Sequence, residues 1–397
     1  MATEYAVLKS DRIIERDLPL NTAASWKDPR APQNLELQIV PVESNADVDD
    51  LRADPYVAAI CPAGVELSLV QPCSHGVRSL VGNMEAVGAN VTRYTGEGIV
   101  AGILDTGIDS SHAAFAHVPI SVRNFLEGAD ASNANDEVGH GTHCAGIICG
   151  RSADADRLGV ASHLKHLYVA KVVAINQRCT FEDLQKGIFW LRSECEREAF
   201  VAVNMSVVYD SLGEFRRAIH DYGATPGEAL IPVRNNDRML REWMAILNAW
   251  LINKNILLIA AAGNESVRPG FRQPADLPAS ELLSVGAAYA KDGSEWDAAA
   301  FSNDGPCIVA PGVDIVSAWP GGGLVPLSGT SMATPHVVGV AALWAQKLAT
   351  EGTITTERVA AELKRNANSE LFRKNARTGS YDVQSIGCGL VQAPQHA

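Results

Sequence analysis

Four polar residues, each set against an apolar run, suit acyl-transfer chemistry. The stretch Ser328-Gly329-Thr330-Ser331-Met332-Ala333-Thr334-Pro335-His336 leads into Val337-Val338-Gly339-Val340-Ala341-Ala342-Leu343-Trp344. The apolar half predicts a buried helix. Ser331 then stands at the helix N-terminus, among unpaired N–H groups of positive partial charge. Such a serine is placed to attack a carbonyl through its hydroxyl and to share in holding the oxyanion through its N–H. Pro335 is expected in the first turn, where its missing N–H costs nothing, and Gly329 permits close backbone approach. Asp105 closes the apolar run Ile99-Val100-Ala101-Gly102-Ile103-Leu104, and His140 opens a second apolar helix, His140 to Ile148. His140 and His143 stand three apart with no Glu between them, unlike the His-Glu-x-x-His zinc pattern. A base orientated by a carboxylate fits better than a metal. Asn264 ends the buried run Ile256–Gly263 and can present a side-chain amide at a strand end. Taken singly, each of these residues is more often an ordinary cap or turn residue. Together they supply a nucleophile, a base, an orienting carboxylate and an amide donor.

These residues need strands and helices to hold them. The run before Asp105 shows no polar alternation, as expected of a central parallel strand covered on both faces. Further strands are predicted at 167–173, 201–206, 256–262, 282–287 and 307–310. Helices are predicted at 181–196, 238–251 and 357–365. Strands alternate with helices, so the main domain is expected to be α/β with a mostly parallel sheet. Groups at the carboxyl ends of such strands collect at one edge. No internal repeat or low-complexity tract interrupts the pattern.

The chain has 397 residues, 47% hydrophobic and 20% charged, which is enough for one large buried domain and a small one. A net charge of −13 argues against nucleic acid and anionic membrane as partners. No apolar run approaches the roughly 20 residues of a membrane helix. Met1–Ser10 has neither the basic start nor the apolar core of a signal peptide, so the expected compartment is the cytosol, or the exterior if a leader has been removed. The eight cysteines show no paired spacing, which predicts free thiols, several of them buried. Cys144 lies one helical turn after His140 and on roughly the same side. Residues 1–73 form a candidate separate unit, with strands at Glu4–Leu8, Leu35–Val40 and Val57–Ile60 and an acidic helix at Ala46–Arg52.

Asp105-Thr106-Gly107, His140-Gly141-Thr142-His143, Ala261-Ala262-Gly263-Asn264 and Gly329-Thr330-Ser331-Met332-Ala333-Thr334-Pro335-His336 resemble, in order, the four signature blocks of the subtilisin-like serine proteases. That family is itself a standard example of an Asp–His–Ser order. The resemblance covers about Ser74 to the C-terminus. It implies a three-layer α/β fold over 74–397. It also implies Ser331 as nucleophile, His140 as base, Asp105 as its orienting partner and Asn264 in the oxyanion hole. The substrate backbone would pair with Ser206-Val207-Val208, where Val208 replaces a glycine and narrows the adjoining subsite. Ala261, Ala262, Gly263 and Gly329 would line the cleft. Pro274 aligns with a proline that follows a cis bond, and Arg272 with a small residue on the floor of the primary pocket. Arg272 there would favour an acidic residue on the acyl side of the cut. The competing expectation is that Arg272 turns to solvent or pairs with Glu265 or Asp276.

Other departures carry expectations too. An insertion at about 209–238 should add a loop or helix beside the cleft. The family's strong calcium site is not matched, with Ala114 at one ligand position and Asp154 and Asp156 left as weak ligands at most. No cofactor or resident metal is expected. Residues 1–73 resemble the family's propeptide, which implies an α+β unit whose tail occupies the cleft until it is cut between about Gln71 and His75. The expected partners are peptide or protein substrates and this segment as inhibitor. The alternative function is a non-catalytic peptide-binding module that keeps the fold.

Overall fold

In a computed structural model, residues 3–15, 18–72, 82–151, 157–277, 279–291, 295–352, 354–374 and 379–395 are described. The chain opens with β1 (Thr3–Ser10), which lies between β2 (Leu35–Val42) and β3 (Val57–Pro62), antiparallel to both. Helix α1 (Asn45–Ala53) joins β2 to β3 and starts in a capping box formed by Ser44 and Asp47. Strand alternation splits the side chains of this small sheet. Val7, Val42 and Ile60 pack under Val48 of α1, while Ala6, Leu8, Ala59 and Cys61 face the main body of the protein. The expected strand–helix–strand unit is therefore present. The boundary expected at 73/74 falls outside the described residues.

The large sheet contains β5 (Val100–Asp105), β6 (Ile120–Asn124), β7 (His166–Lys171), β9 (Val201–Met205), β11 (Ile256–Ala261), β12 (Leu283–Ala290), β13 (Trp296–Ala298) and β14 (Ile308–Pro311). Its order is β13-β12-β11-β9-β5-β7-β6, with β14 also on β12, and every pair is parallel except β12–β13. Both faces are buried. Ala101 and Ile103 face one core, with α3 (His140–Cys149), α7 (Thr330–Thr350) and α8 (Thr356–Arg365). Val100 and Leu104 face the other, with α4 (Phe181–Glu194) and α6 (Pro226–Asn253). This is why the strands read as unbroken apolar runs. The three layers match the expected fold. The short helices α2 (Asn83–Ala86) and α9 (Val383–Ile386) and the ribbon of β15 (Ile315–Ala318) with β16 (Leu324–Leu327) complete it.

The insertion adds two helical pieces. One is α5 (Ser211–His220) and the other is the front of α6, a 28-residue helix of which periodicity predicts only the second half. A capping box at Thr225 and Glu228, with Pro226 following the cap, marks the true start. Pro232 inside the helix reads as a breaker and hides that start in the sequence. Among the described residues no helix is long and apolar enough to cross a membrane. The described cysteines are free, and Cys61, Cys144, Cys149, Cys179 and Cys195 are buried.

Candidate active site

Asp105 is the last residue of β5 and is fully buried. His140 is the first residue of α3, behind Gly139 in the left-handed region at φ 95°. The two elements meet where a Cβ on Gly141 would lie 2.2 Å from the Gly107 carbonyl oxygen. Only glycine allows that approach. It brings the His140 ring to Asp105, with Nδ1 donating to Oδ1 at 2.8 Å and to Oδ2 at 3.0 Å. Burial opposes a charged ring here, but the Asp105 carboxylate outweighs it and holds the His140 pKa well above the usual histidine value. The buried Nε2 of His140 has no hydrogen-bond partner among the described residues.

Asp136 is a site residue that motif reading missed. It is buried and accepts from the N–H groups of Val138, Gly139 and Thr142 and from the hydroxyls of Thr106 and Thr142. It ties the turn after β5 to the start of α3. An Asp four residues before His140, in a polar loop, was the available signal for this N-terminal anchor.

Ser331 is the second residue of α7 and is buried, with its backbone N–H in the unpartnered first turn. Its Oγ donates to the Val70 carbonyl oxygen at 3.1 Å. The Asn264 side chain is held by its own carbonyl, which accepts from Thr330 N at 3.0 Å and Thr330 Oγ1 at 2.9 Å. That leaves Nδ2 to donate to the Gln71 carbonyl oxygen at 2.7 Å. Gly329 lies close by, and a Cβ there would come within 3.1 Å of Asn264 Nδ2.

The cleft is occupied by the chain itself. Strand β4 (Glu66–Leu69) is the middle strand of an antiparallel sheet between β8 (Arg178–Thr180) and β10 (Val207–Tyr209). Val70 N donates to Ser206 O at 2.9 Å, and the Val70 side chain packs with Val208 and Ala261. Ser206-Val207-Val208 and the wall beginning at Ala261 thus meet a bound backbone, where the resemblance placed substrate.

Several expectations change. Pro335 is the sixth residue of α7, not part of its first turn. Its missing N–H would have bonded Ser331 O, and that carbonyl instead accepts from Cys144 Sγ at 3.5 Å. Among the described residues the cis peptide bond is Arg268–Pro269, not the bond before Pro274. Arg272 is engaged by two carboxylates of the protein itself. Its Nε donates to Asp304 at 2.6 Å, and its guanidinium also pairs with Asp382 at 3.1 Å. The guanidinium is already neutralised, and the basis for an acidic preference at the acyl position is gone. The carboxylates that satisfy it are neither Glu265 nor Asp276. Asp154 and Asp156 lie outside the described residues.

The two remaining histidines of the signature blocks are turned away from the cleft. His143 Nε2 meets the Ile315 and Val325 carbonyls, and His336 Nδ1 meets the Met332 carbonyl. Burial lowers both pKa values to about 4. In the unfolded chain each titrates near its usual value of roughly 6.5. The unfolded state therefore binds more protons between those values, and stability falls as pH drops from about 6.5 to about 4, by roughly 3 kcal/mol per histidine at most. His140, raised rather than lowered, acts in the opposite direction at higher pH. Replacing His336 with glutamine should flatten the acid limb of a urea-midpoint-against-pH curve. An unchanged limb would remove His336 as a contributor.

Cys144 touches the pair directly, with Sγ 3.7 Å from His140 Nδ1. Ligand atoms of Asp105, His140 and Cys144 all lie within 4.8 Å of one another. Burial raises the Cys144 pKa, so the thiol reacts slowly with alkylating reagents. A soft metal has less need of prior ionisation, and a bound mercurial would displace the imidazole. We expect a small mercurial to abolish any His140-dependent activity and Cys144→Val to be resistant. Equal inhibition of both would place the sensitive thiol elsewhere.

Residues 96–389 match the model of the subtilase family. Subtilisin-like protease 3 of Pseudogymnoascus destructans is 34% identical over 291 residues, covering 71% of this chain and 61% of its own length. M-protease of Shouchella clausii is 28% identical over 367 residues, covering 90% and 80%. The crystal structure of a cold adapted subtilisin-like serine proteinase superposes with a TM-score of 0.55 at 25% identity, over 77% of this chain and 92% of that one.

Proposed function

The chain belongs to the subtilase family of serine proteases, and from that premise we propose that it is an endopeptidase using Asp105, His140 and Ser331, which first cuts its own N-terminal segment. One observation carries the reading: the chain's own residues 66–71 lie in the cleft as a substrate would, with carbonyls at Ser331 and Asn264. His140 Nε2 takes the Ser331 proton as Oγ attacks, and Asp105 holds the ring's tautomer and steadies the imidazolium. The oxyanion receives hydrogen bonds from Asn264 Nδ2 and the Ser331 N–H. His140 then protonates the leaving amine, and water resolves the acyl-enzyme. A raised His140 pKa means that the neutral, active ring is lost as pH falls through an elevated value.

A cut between Val70 and Gln71 is supported by the Val70 N–H, which pairs with Ser206 O, and by the Val70 side chain, which packs with Val208 and Ala261. Val208 and Ala261 make the surroundings of Val70 apolar, and the preferred acyl-side residue is small and aliphatic rather than acidic. Before cleavage the segment blocks the cleft, and Ala6, Leu8, Ala59 and Cys61 of the small sheet anchor it in the core that includes α6. The test is intact mass and N-terminal sequence of purified protein. Wild type should yield a new terminus at Gln71, and Ser331→Ala should keep residues 1–397 joined. An uncut, fully active wild type would refute self-processing. A terminus at Pro72 would move the cut to Gln71, whose carbonyl Asn264 holds.

A further inference from the structure

Strand β4 alternates. Leu67 and Leu69 are buried, while Glu66 and Ser68 face outward. Leu67 and Leu69 fill apolar space in the main core. The outward position at the start of the strand carries a charge with a built surrounding. Arg178, from β8 on one side of Glu66, donates through Nη1 to Glu66 Oε2. Arg217, from α5 beyond β10, reaches the same oxygen through Nη2 at 2.8 Å. Two guanidiniums on separate elements thus converge on one carboxylate of the segment that lies where substrate lies.

The other charges nearby do not satisfy these arginines. Asp210 meets Arg217 only at 3.4 Å, and its Oδ1 caps α5 through Gly213 N. Glu214 is committed to the Tyr209 hydroxyl and to Asn236. Arg178 has no second carboxylate partner among the described residues. When the segment leaves, Arg178 and Arg217 lose their shared carboxylate, and the two anions that remain nearby, Asp210 and Glu214, are engaged with Gly213 N and with Tyr209 and Asn236. An acidic occupant restores the balance, and a basic one is repelled. Arg217 lies in the insertion, so the insertion acquires a role in recognition.

We propose that Arg178 and Arg217 form a subsite for an acidic side chain four residues before the acyl-side residue of the cut. The favoured substrates would then carry Asp or Glu there, with apolar residues at the positions held by Leu67, Leu69 and Val70. This rests on the protease reading given above. It replaces the acidic preference expected at Arg272 with one at a different position and from different residues.

The test uses full-length protein after its own processing, with active sites counted by a fluorophosphonate. Fluorogenic peptides of sequence Xaa-Leu-Ser-Leu-Val, with Glu, Gln or Lys at the first place, supply the comparison. Both pairs are partly exposed, so the expected preference for Glu over Gln is roughly three- to tenfold in kcat/KM at low salt. It should shrink toward unity in molar salt. Arg178→Glu should reverse the order of Glu and Lys, and Arg217→Gln should weaken it. Equal rates on all three peptides overturn the subsite and leave the protease reading intact. No hydrolysis together with no Ser331-dependent labelling points to failure of the protease reading. If the released segment stays bound and blocks every peptide, its retention on the enzyme gives the same comparison. Glu66→Lys should then shorten retention in wild type and restore it in Arg178→Glu, and unaltered retention in both overturns the proposal.

Discussion

Replacing Ser331 with alanine should lower peptide hydrolysis by on the order of 10⁶ in kcat, the scale known for the subtilisin triad rather than one derived from this chain. His140→Ala should cost a similar factor, and the double variant should be no worse than either single one. The reason lies in the division of labour. Without Oγ nothing attacks, and without the imidazole Oγ keeps its proton. Ser331 lies at a helix start, and among the described residues its hydroxyl bonds the Val70 carbonyl. Its removal should therefore leave the thermal midpoint within about 2 °C. His140 is more deeply engaged with Asp105, and its loss leaves a buried carboxylate with one fewer partner. A larger fall in midpoint is expected for His140→Ala than for Ser331→Ala. The assay is turnover of a peptide ending in Leu-Val before the reporter, with circular dichroism melts alongside. Activity within tenfold of wild type in either variant would remove that residue from the mechanism.

Asn264→Ala should lower kcat by about 10² to 10³ with KM little changed, again on the scale known for subtilisin. Nδ2 is aimed at a carbonyl oxygen, 2.7 Å from that of Gln71, because Thr330 fixes the other end of the amide. A donor fixed in advance stabilises charge that develops during reaction, so the loss falls on kcat. Thr330 N loses an acceptor in the variant, which costs roughly 1 kcal/mol of stability. Self-cutting should slow in proportion, so uncut protein should accumulate in fresh preparations of Asn264→Ala. An unchanged kcat would place the oxyanion elsewhere.

Composition and periodicity were enough to read the α/β class, because both faces of the large sheet are covered and its strands must be apolar throughout. The four candidate site residues stand out in the sequence for a related reason. Each stands at the junction of an apolar element and a tight turn, and such junctions leave a local mark in the chain. Asp105 ends a strand, His140 and Ser331 lie in the first turns of helices, and Asn264 follows a glycine just beyond the strand that ends at Ala261. The strand–helix–strand unit at the N-terminus was legible from local alternation as well. What the sequence could not show is anything that depends on which distant residues meet. Arg272 reads the same whether it lines a pocket or pairs with Asp304 and Asp382, which lie 32 and 110 residues away. Pro335 looks like a first-turn proline until the helix start at Thr330 is known, and only packing supplies Cys144 as donor to the carbonyl it leaves open. Glu66, Arg178 and Arg217 carry no local signature at all. They come together because strand pairing places β4 between two other strands, and pairing across such distances is decided by tertiary contact rather than by neighbouring residues.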